Sequence, residues 1–499
     1  MIRSTISLLI VVFSMLAQVT WAAADVSVFR TTDENAPWHP TQIEQDSRGM
    51  IWISSWNGLY RFDGYRFQSF KPEPGQGSYL DNERIRGILM VGGDSLLCRL
   101  DEGVFLFNVR TCLFDTLPAT QQSAMQLRMD RANTAFSPTR DFTIDGQDYP
   151  DIQQRFQDQQ GNIWLRSAES IYCLHANQRH GKAIDSASQQ DIPRCLFHDS
   201  QGNFWVCSRD NRQVALYDAD WNRLGYLGRD GQLHAQPVDF AAIYCIYDDA
   251  RGTLWLGSKA DGLFRLFRHD KGFDVQPIPM APGGLPTNAI YDIRVDRLGT
   301  LWLATWDSGI ICLDNPAEPN PHSLHYIVLN QHCPDYPADA LKTRRILIRP
   351  DGTLLATSTR GLLIIDDIYT SLSQYRMHLH RREADRRTSL TASALMAVAF
   401  DAADRLFIAT ESGGVNVVEG QNLHADTLSF RHFTAREGLT SDVTFDFATG
   451  SDGRRVLVLC ANGVSVLDVE HNQVESYGSQ FWNCPSAFTE CLPQVIGDS

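Results

Sequence analysis

The sequence predicts an all-β protein of the β-propeller type: one seven-bladed ring followed by about three blades of an incomplete second ring. Three observations predict it. The stretch Asp46–Asp63 reads as a polar turn, a short apolar strand, a second turn at Asn57-Gly58 and a second strand. The same pattern returns at Asp249–Leu266 and at Asp296–Asp314. Its anchor position recurs as Trp52, Leu97, Trp164, Trp205, Trp255, Trp302, Leu355, Phe407 and Leu457, spaced 41 to 53 residues apart except for one interval of 67. Self-similarity at about 40 to 50 residues fits four-stranded propeller blades. The segments are short, rich in Val, Ile, Trp, Tyr and Phe, and bounded by Gly and Asp, so helical solenoids of similar period are excluded.

The elements follow in order. Arg3, the apolar run Ile6–Leu16 and Ala22-Ala23-Ala24 read as a signal peptide, residues 1–24, cleaved near Ala24–Asp25. The alternative is an uncleaved anchor, but the run is short of the roughly 20 residues of a bilayer crossing. No later run approaches about 18 apolar residues. The expectation is therefore an exported, periplasmic chain with no membrane span once mature. Within one unit, Ala289–Val295 is an inner strand A, Asp296–Gly299 a tight turn, Leu301–Thr305 strand B, Ile310–Asp314 strand C and His325–Leu329 an outer strand D. Asp at the head of each turn accepts backbone N–H groups, and Gly supplies positive φ. The large anchor residue wedges between neighbouring sheets. A blade alone has two apolar faces and needs neighbours to bury them. The long interval between Leu97 and Trp164 holds a polar, Gln-rich insertion near Gln121–Arg140, a surface excursion or a degenerate blade.

Composition narrows the partners. The chain has 499 residues, with 44 Lys+Arg against 59 Asp+Glu and a formal charge of −15. An acidic surface argues against nucleic acid or an anionic membrane as the main partner. Of the 11 cysteines, Cys98, Cys173, Cys207, Cys245, Cys312 and Cys460 fall on expected strands, where a thiol acts as a small buried hydrophobe. Cys484 and Cys491 could pair with each other. No Cys/His group has metal-ligand spacing, and no cofactor is expected.

The motif D-x-x-G-x-[LI]-W-[LI]-[GAS]-[ST]-x(2–3)-G-[LI]-[YF] resembles the two-component regulator propeller repeat. Asp46–Asp63, Asp158–Leu174, Asp199–Tyr217, Asp249–Leu266 and Asp296–Asp314 match well; Gly93–Phe107, Asp351–Asp366, Asp404–Val418 and Asp452–Asp468 are eroded. The resemblance implies the periplasmic sensor region of a hybrid two-component system. Such receptors carry two seven-bladed propellers, a β-sandwich, a transmembrane helix, a histidine kinase core, a receiver and a helix-turn-helix domain, and they sense oligosaccharides to switch on polysaccharide-utilisation genes. No transmembrane, phosphoacceptor or ATP-binding motif is found here, so kinase activity does not carry over. Gln494–Ser499 resembles Met90–Ser95, which reads as the start of a tenth blade in a truncated sensor; the plainer reading is a tail.

Val26–Arg30 aligns with Leu428–Phe433, so the chain opens on an outer strand D able to close a last blade. With the basic stretch His378–Arg387 as boundary, the seven-bladed ring spans 25–385 and the partial second ring 386–499. Loops D–A and B–C share one face of a propeller. There lie the candidate ligand-binding residues Trp38, His39, Trp56, Asn57, Arg209, Asp210, Lys259, Asp261, Trp306 and Asp307. Aromatic faces stack on sugar rings, and Asp, Asn and Arg hydrogen-bond hydroxyls. The competing reading is that Trp56 and Trp306 pack against adjacent blades, or that the face makes homodimer contacts. No catalytic constellation stands out. The alternatives to an oligosaccharide sensor are a propeller polysaccharide lyase or glycosidase, which needs two acids about 5 to 9 Å apart, and a protein-binding scaffold.

Overall fold

The structure, a computed structural model, describes residues 26–174 and 193–478, apart from short stretches within them such as 31–36, 71–83, 134–139 and 209–211. The signal peptide, Cys484, Cys491 and Gln494–Ser499 lie outside the described residues. Nine antiparallel sheets of four or five strands fill most of the described chain. Each sequence anchor sits in the second strand of its own sheet.

We number the sheets as blades by their inner strands. Blade 1 runs through Pro40–Gln45, Ile51–Ser55, Gly58–Phe62 and Phe67–Phe70. Blade 2 comprises Gly87–Gly92, Ser95–Leu100, Gly103–Asn108 and Leu113–Thr116. Blade 3 contributes Gln154–Gln157, Ile163–Arg166 and Ser170–Leu174. Its fourth strand is Val26–Arg30, which pairs with Ser170–Leu174 in the register Val26↔Leu174 to Arg30↔Ser170. The opening strand is thus an outer strand D, as expected, but it closes blade 3 rather than blade 7. Blades 4 to 9 begin at Pro193–His198, Ile243–Asp248, Ile290–Val295, Thr343–Ile348, Leu395–Phe400 and Thr444–Thr449, and the last ends at Gly478.

The inner strands of blades 3, 1 and 2 lie side by side, as do those of blades 4 to 9 in chain order. Polar side chains on strand A fasten one blade to the next. Gln154 Oε1 accepts from Ile43 N at 2.8 Å, Gln42 Oε1 from Ile88 N at 3.1 Å, and Asp292 Oδ2 from Ile346 N at 2.9 Å. Apolar wedges do the rest. Leu355, Leu362 and Ile364 of blade 7 pack with Leu395, Leu406 and Ile408 of blade 8. Residues 385 and 386, the expected domain division, fall in the connection between blades 7 and 8, with Arg382 and Ser389 buried on either side.

The local motif explains itself in the turns. Asp46 takes the N–H groups of Arg48 (2.9 Å) and Met50 (3.0 Å) on one oxygen and the indole N–H of Trp52 (3.0 Å) on the other. Asp158, Asp199 and Asp296 repeat this with Trp164, Trp205 and Trp302. Gly49, Gly161, Gly202 and Gly299 follow three residues after the Asp with φ between 85° and 87°, a region a side chain disfavours. The one carboxylate thus caps the turn and fixes the wedge tryptophan, which is why Asp and Trp travel together. Where the Trp is lost in blade 8, Asp401 takes Arg405 Nε instead, at 2.6 Å.

One feature was not expected from the sequence. The polar insertion forms an α-helix, α1 (Ala119–Asn133), followed by a hairpin of Arg140–Ile144 with Gln147–Ile152. Met129 packs under α1 against Leu97 and Val104 of blade 2, and Gln122 bonds both backbone groups of Val104. Only a narrow apolar stripe anchors α1, so its periodicity is weak. Its residues are nonetheless strong helix formers.

Candidate functional site

A repeated backbone device builds the axial face. The residue after strand B donates its N–H to the carbonyl just before or at the start of strand A: Trp56 to Trp38, Lys259 to Ala242, Trp306 to Ala289, Thr359 to Lys342, Glu411 to Ala394 and Ala461 to Val443. Equivalent side chains are thereby set on one face. A second device adds to it. Strand A of blades 1, 5, 6, 7, 8 and 9 carries an extra residue at its second position: Thr41, Tyr244, Tyr291, Arg344, Met396 and Phe445. Bulges of this kind re-aim a side chain.

The two devices converge. Trp306 stacks on Tyr291 (4.9 Å between centroids, 16° between planes), which meets Tyr244 at 4.7 Å. Lys259 lies over the Tyr244 ring at 5.9 Å. Around the Trp306 indole stand the Arg84 guanidinium at 5.8 Å, Arg344 at 5.6 Å and the Lys342 ammonium at 5.6 Å. The Arg84 guanidinium also lies over the Trp56 ring at 3.8 Å. Trp56 in turn meets His39 at 4.6 Å and Trp38 at 5.8 Å, and Trp38 reaches Phe445 at 5.5 Å. Loops of blades 1 and 2 are thereby seated on the inner ends of blades 6 to 9.

One carboxylate ties the cluster. Glu411 binds Arg344 at 3.2 Å and faces Arg84 at 3.6 Å, all three side chains being under 5% exposed. Pairing two guanidinium groups with one buried carboxylate fixes geometry more than it adds stability.

Each expected residue now has a place. Trp38, His39, Trp56, Lys259 and Trp306 are brought together. Asn57 is buried and accepts from Trp38 N at 2.9 Å and Ser55 Oγ at 2.7 Å, which makes it a turn residue. Asp261 is engaged by Arg212, bidentate at 2.9 and 2.8 Å. Burial pushes its carboxyl up, but Arg212 outweighs this and holds it below the usual range. Asp307 is exposed and accepts from Ser308 Oγ at 3.0 Å. Arg209 and Asp210 lie outside the described residues. Tyr244, Tyr291, Arg84, Lys342, Arg344 and Glu411 were not anticipated. Register was the available signal: Glu411 occupies the position of Trp56 and Trp306, and Tyr244, Tyr291 and Arg344 share the bulge position.

The nine described cysteines are all free thiols, eight of them buried. Burial raises the Cys173 thiol to about 12, with Asp158 adding to the shift. These thiols pack as small hydrophobes rather than as nucleophiles.

Fold and face together define a β-propeller. Residues 284–307, which run from the approach to blade 6 through Trp302 to Trp306 and Asp307, match the two component regulator propeller family. Among solved structures, the chain resembles the extracellular domain of the hybrid two component system BT3049 from B. thetaiotaomicron at 14% identity, over 89% of this chain and 71% of that one, with a TM-score of 0.37. It also resembles PorZ, a surface component of the type-IX secretion system of Porphyromonas gingivalis (13%, 88% and 64%, TM-score 0.41). A third likeness is to virginiamycin B lyase from Staphylococcus aureus (12%, 61% and 90%, TM-score 0.43). No curated protein matches the chain. Among the described residues no helix is long and apolar enough to cross a membrane.

Proposed function

We propose that this chain is an extracytoplasmic ligand-sensing propeller region of a hybrid two-component system, and that its ligand is an oligosaccharide taken on the axial face. The regulator repeat at residues 284–307 supports the first part. The observation that carries the second is the gathering of Trp56 and Trp306, both half-buried, with Tyr244, Tyr291, Lys259 and Lys342 on one face, contributed by blades 1, 5, 6 and 7. Aromatic surface with a few convergent polar groups is what a small-ligand site requires. The face joins loops of blades 1 and 2 to blades 6 to 9, so occupancy there bears on how the two sets of blades hold together. Calorimetry of the full chain with neutral and acidic oligosaccharide pools tests the reading. Heat that is lost on Trp306→Ala supports it; no heat from any pool refutes it.

A further inference from the structure

The turn between strands C and D of blade 4, Asp218–Asn222, has the same hydrogen bonds as the A–B turns. Trp221 N donates to Asp218 O and Asp218 N to Asn222 O, both at 3.0 Å. Asp218 Oδ1 accepts from Asp220 N (3.0 Å) and Asn222 N (2.8 Å). The residue that is glycine in Asp46–Met50, Asp158–Asn162, Asp199–Asn203 and Asp296–Thr300 is here Trp221, at φ 62°. Asp404 takes the position in blade 8, at φ 61°, and aspartate tolerates that region. For a bulky aromatic it is an outlier. Strained positions of this kind gather at ligand sites.

The side chain gains a defined pose from this backbone. The Trp221 indole lies parallel to Phe204 (4.3 Å, 5°), which stacks on His198 (4.7 Å, 28°). Tyr217 flanks it at 6.0 Å. Yet Trp221 remains 51% exposed. One indole face covers Phe204, itself 3% exposed, and the other is turned outward. Asp220, Asn222 and Arg223 are exposed around it, and Arg223 is braced on Tyr226 by a 3.0 Å hydrogen bond. Leu224 is the adjoining exposed apolar residue, at 47%.

We propose that Trp221 is a sugar-stacking platform on the turn edge of blade 4. The apolar C–H face of a pyranose is weakly positive and suits the negative face of an indole. Its hydroxyls meet Asp220, Asn222 and Arg223 at the rim. A protein partner would need an apolar patch of some hundreds of Å²; a single ring in a polar rim suits one sugar unit of a glycan. The platform lies on the face of A–B and C–D turns, opposite the axial cluster, and stands independently of the function proposed for that cluster.

The test is affinity electrophoresis of the full chain in gels containing laminarin, xylan, pullulan or polygalacturonate, with three variants alongside. Trp221→Leu keeps an apolar cover over Phe204 but offers no flat ring; Trp221→Phe keeps a ring; Trp306→Ala touches only the axial face. The expected result is retardation of the parent by at least one polysaccharide. That retardation should fall in Trp221→Leu at unchanged circular dichroism and fall less in Trp221→Phe, while Trp306→Ala should remove only the share owed to the axial face. Retardation of Trp221→Leu equal to the parent overturns the proposal. So does retardation lost in Trp306→Ala alone, which leaves the axial reading standing. Parent mobility unaffected by all four polysaccharides also overturns it.

Discussion

Replacing Asp199 by alanine tests the turn that builds each blade. Asp199 caps Gln201 N and Asn203 N at 3.0 and 2.8 Å, holds the fully buried Trp205 indole at 2.8 Å, and receives two guanidinium bonds from Arg268 at 3.0 and 2.9 Å. The cap is worth about 1 kcal/mol, by analogy with capping side chains, and the indole bond about 1 kcal/mol more. Arg268 is 9% exposed, and stripping a buried cation of its partner costs about 3 kcal/mol. Asp248, 3.4 Å from Arg268, softens that loss. The expected cost is about 4 kcal/mol. Asp218 makes the same turn on the surface, its carboxylate bonding neither an indole nor a guanidinium, so Asp218→Ala should cost much less. Urea unfolding followed by tryptophan fluorescence measures both. Equal midpoints for the two variants would refute the claim that the carboxylate couples turn, wedge and neighbouring strand. Acid adds a check. Burial pushes the Asp199 carboxyl up, but Trp205, Asn203 and Arg268 outweigh it and hold it below 3.8. Its stabilising contribution is therefore present above that pH and lost as pH falls through the lower folded value; Asp199→Ala should show a correspondingly shallower acid transition.

Three further outcomes are expected. His380 is buried and its imidazole is lowered from 6.5 to about 4, chiefly by burial, with His378 adding to it. Its depressed folded value means stability is present above pH 6.5 and lost as pH falls through about 4, at a cost approaching about 3 kcal/mol; His380→Leu should flatten the urea midpoint against pH over that window. Glu411→Ala strands Arg84 and Arg344 and should cost about 3–5 kcal/mol, whereas the triple replacement of Arg84, Arg344 and Glu411 by Met, Met and Leu should cost less, as read by thermal melting. At Gly414, φ is 72° and a Cβ would collide with the Phe433 carbonyl oxygen; Gly414→Ala should lower the melting temperature, while Gly299→Ala, with open space at its Cβ, should lower it less.

The blade pattern was legible because its causes are local. An Asp, a Gly three residues on and a large anchor three residues beyond that specify one turn and one wedge, and every anchor from Trp52 to Leu457 falls on strand B. Long-range pairing was not so visible. Nothing in Val26–Arg30 distinguishes blade 3 from blade 7 as its partner, because any strand of that pattern can close a sheet missing its outer edge. The aromatic half of the axial face could be read from Trp56 and Trp306 as bulky residues in loops. Its charged half could not: Arg344 looks like a strand residue until the bulge at strand A is known, and Arg84 and Glu411 meet only through the packing of blade 2 loops onto blade 8. Trp221 escaped notice because the glycine it replaces is conspicuous only once the hydrogen bonds of the C–D turn are seen to match those of the A–B turns.

Hydrogen–deuterium exchange of the full chain with and without an oligosaccharide pool that gives heat in calorimetry tests the central functional claim most directly. The account predicts slowed exchange at the amides that follow strand B, those of Trp56, Lys259, Trp306, Thr359 and Glu411, with little change along the outer strands. Binding heat accompanied by unchanged exchange at all five amides would contradict it.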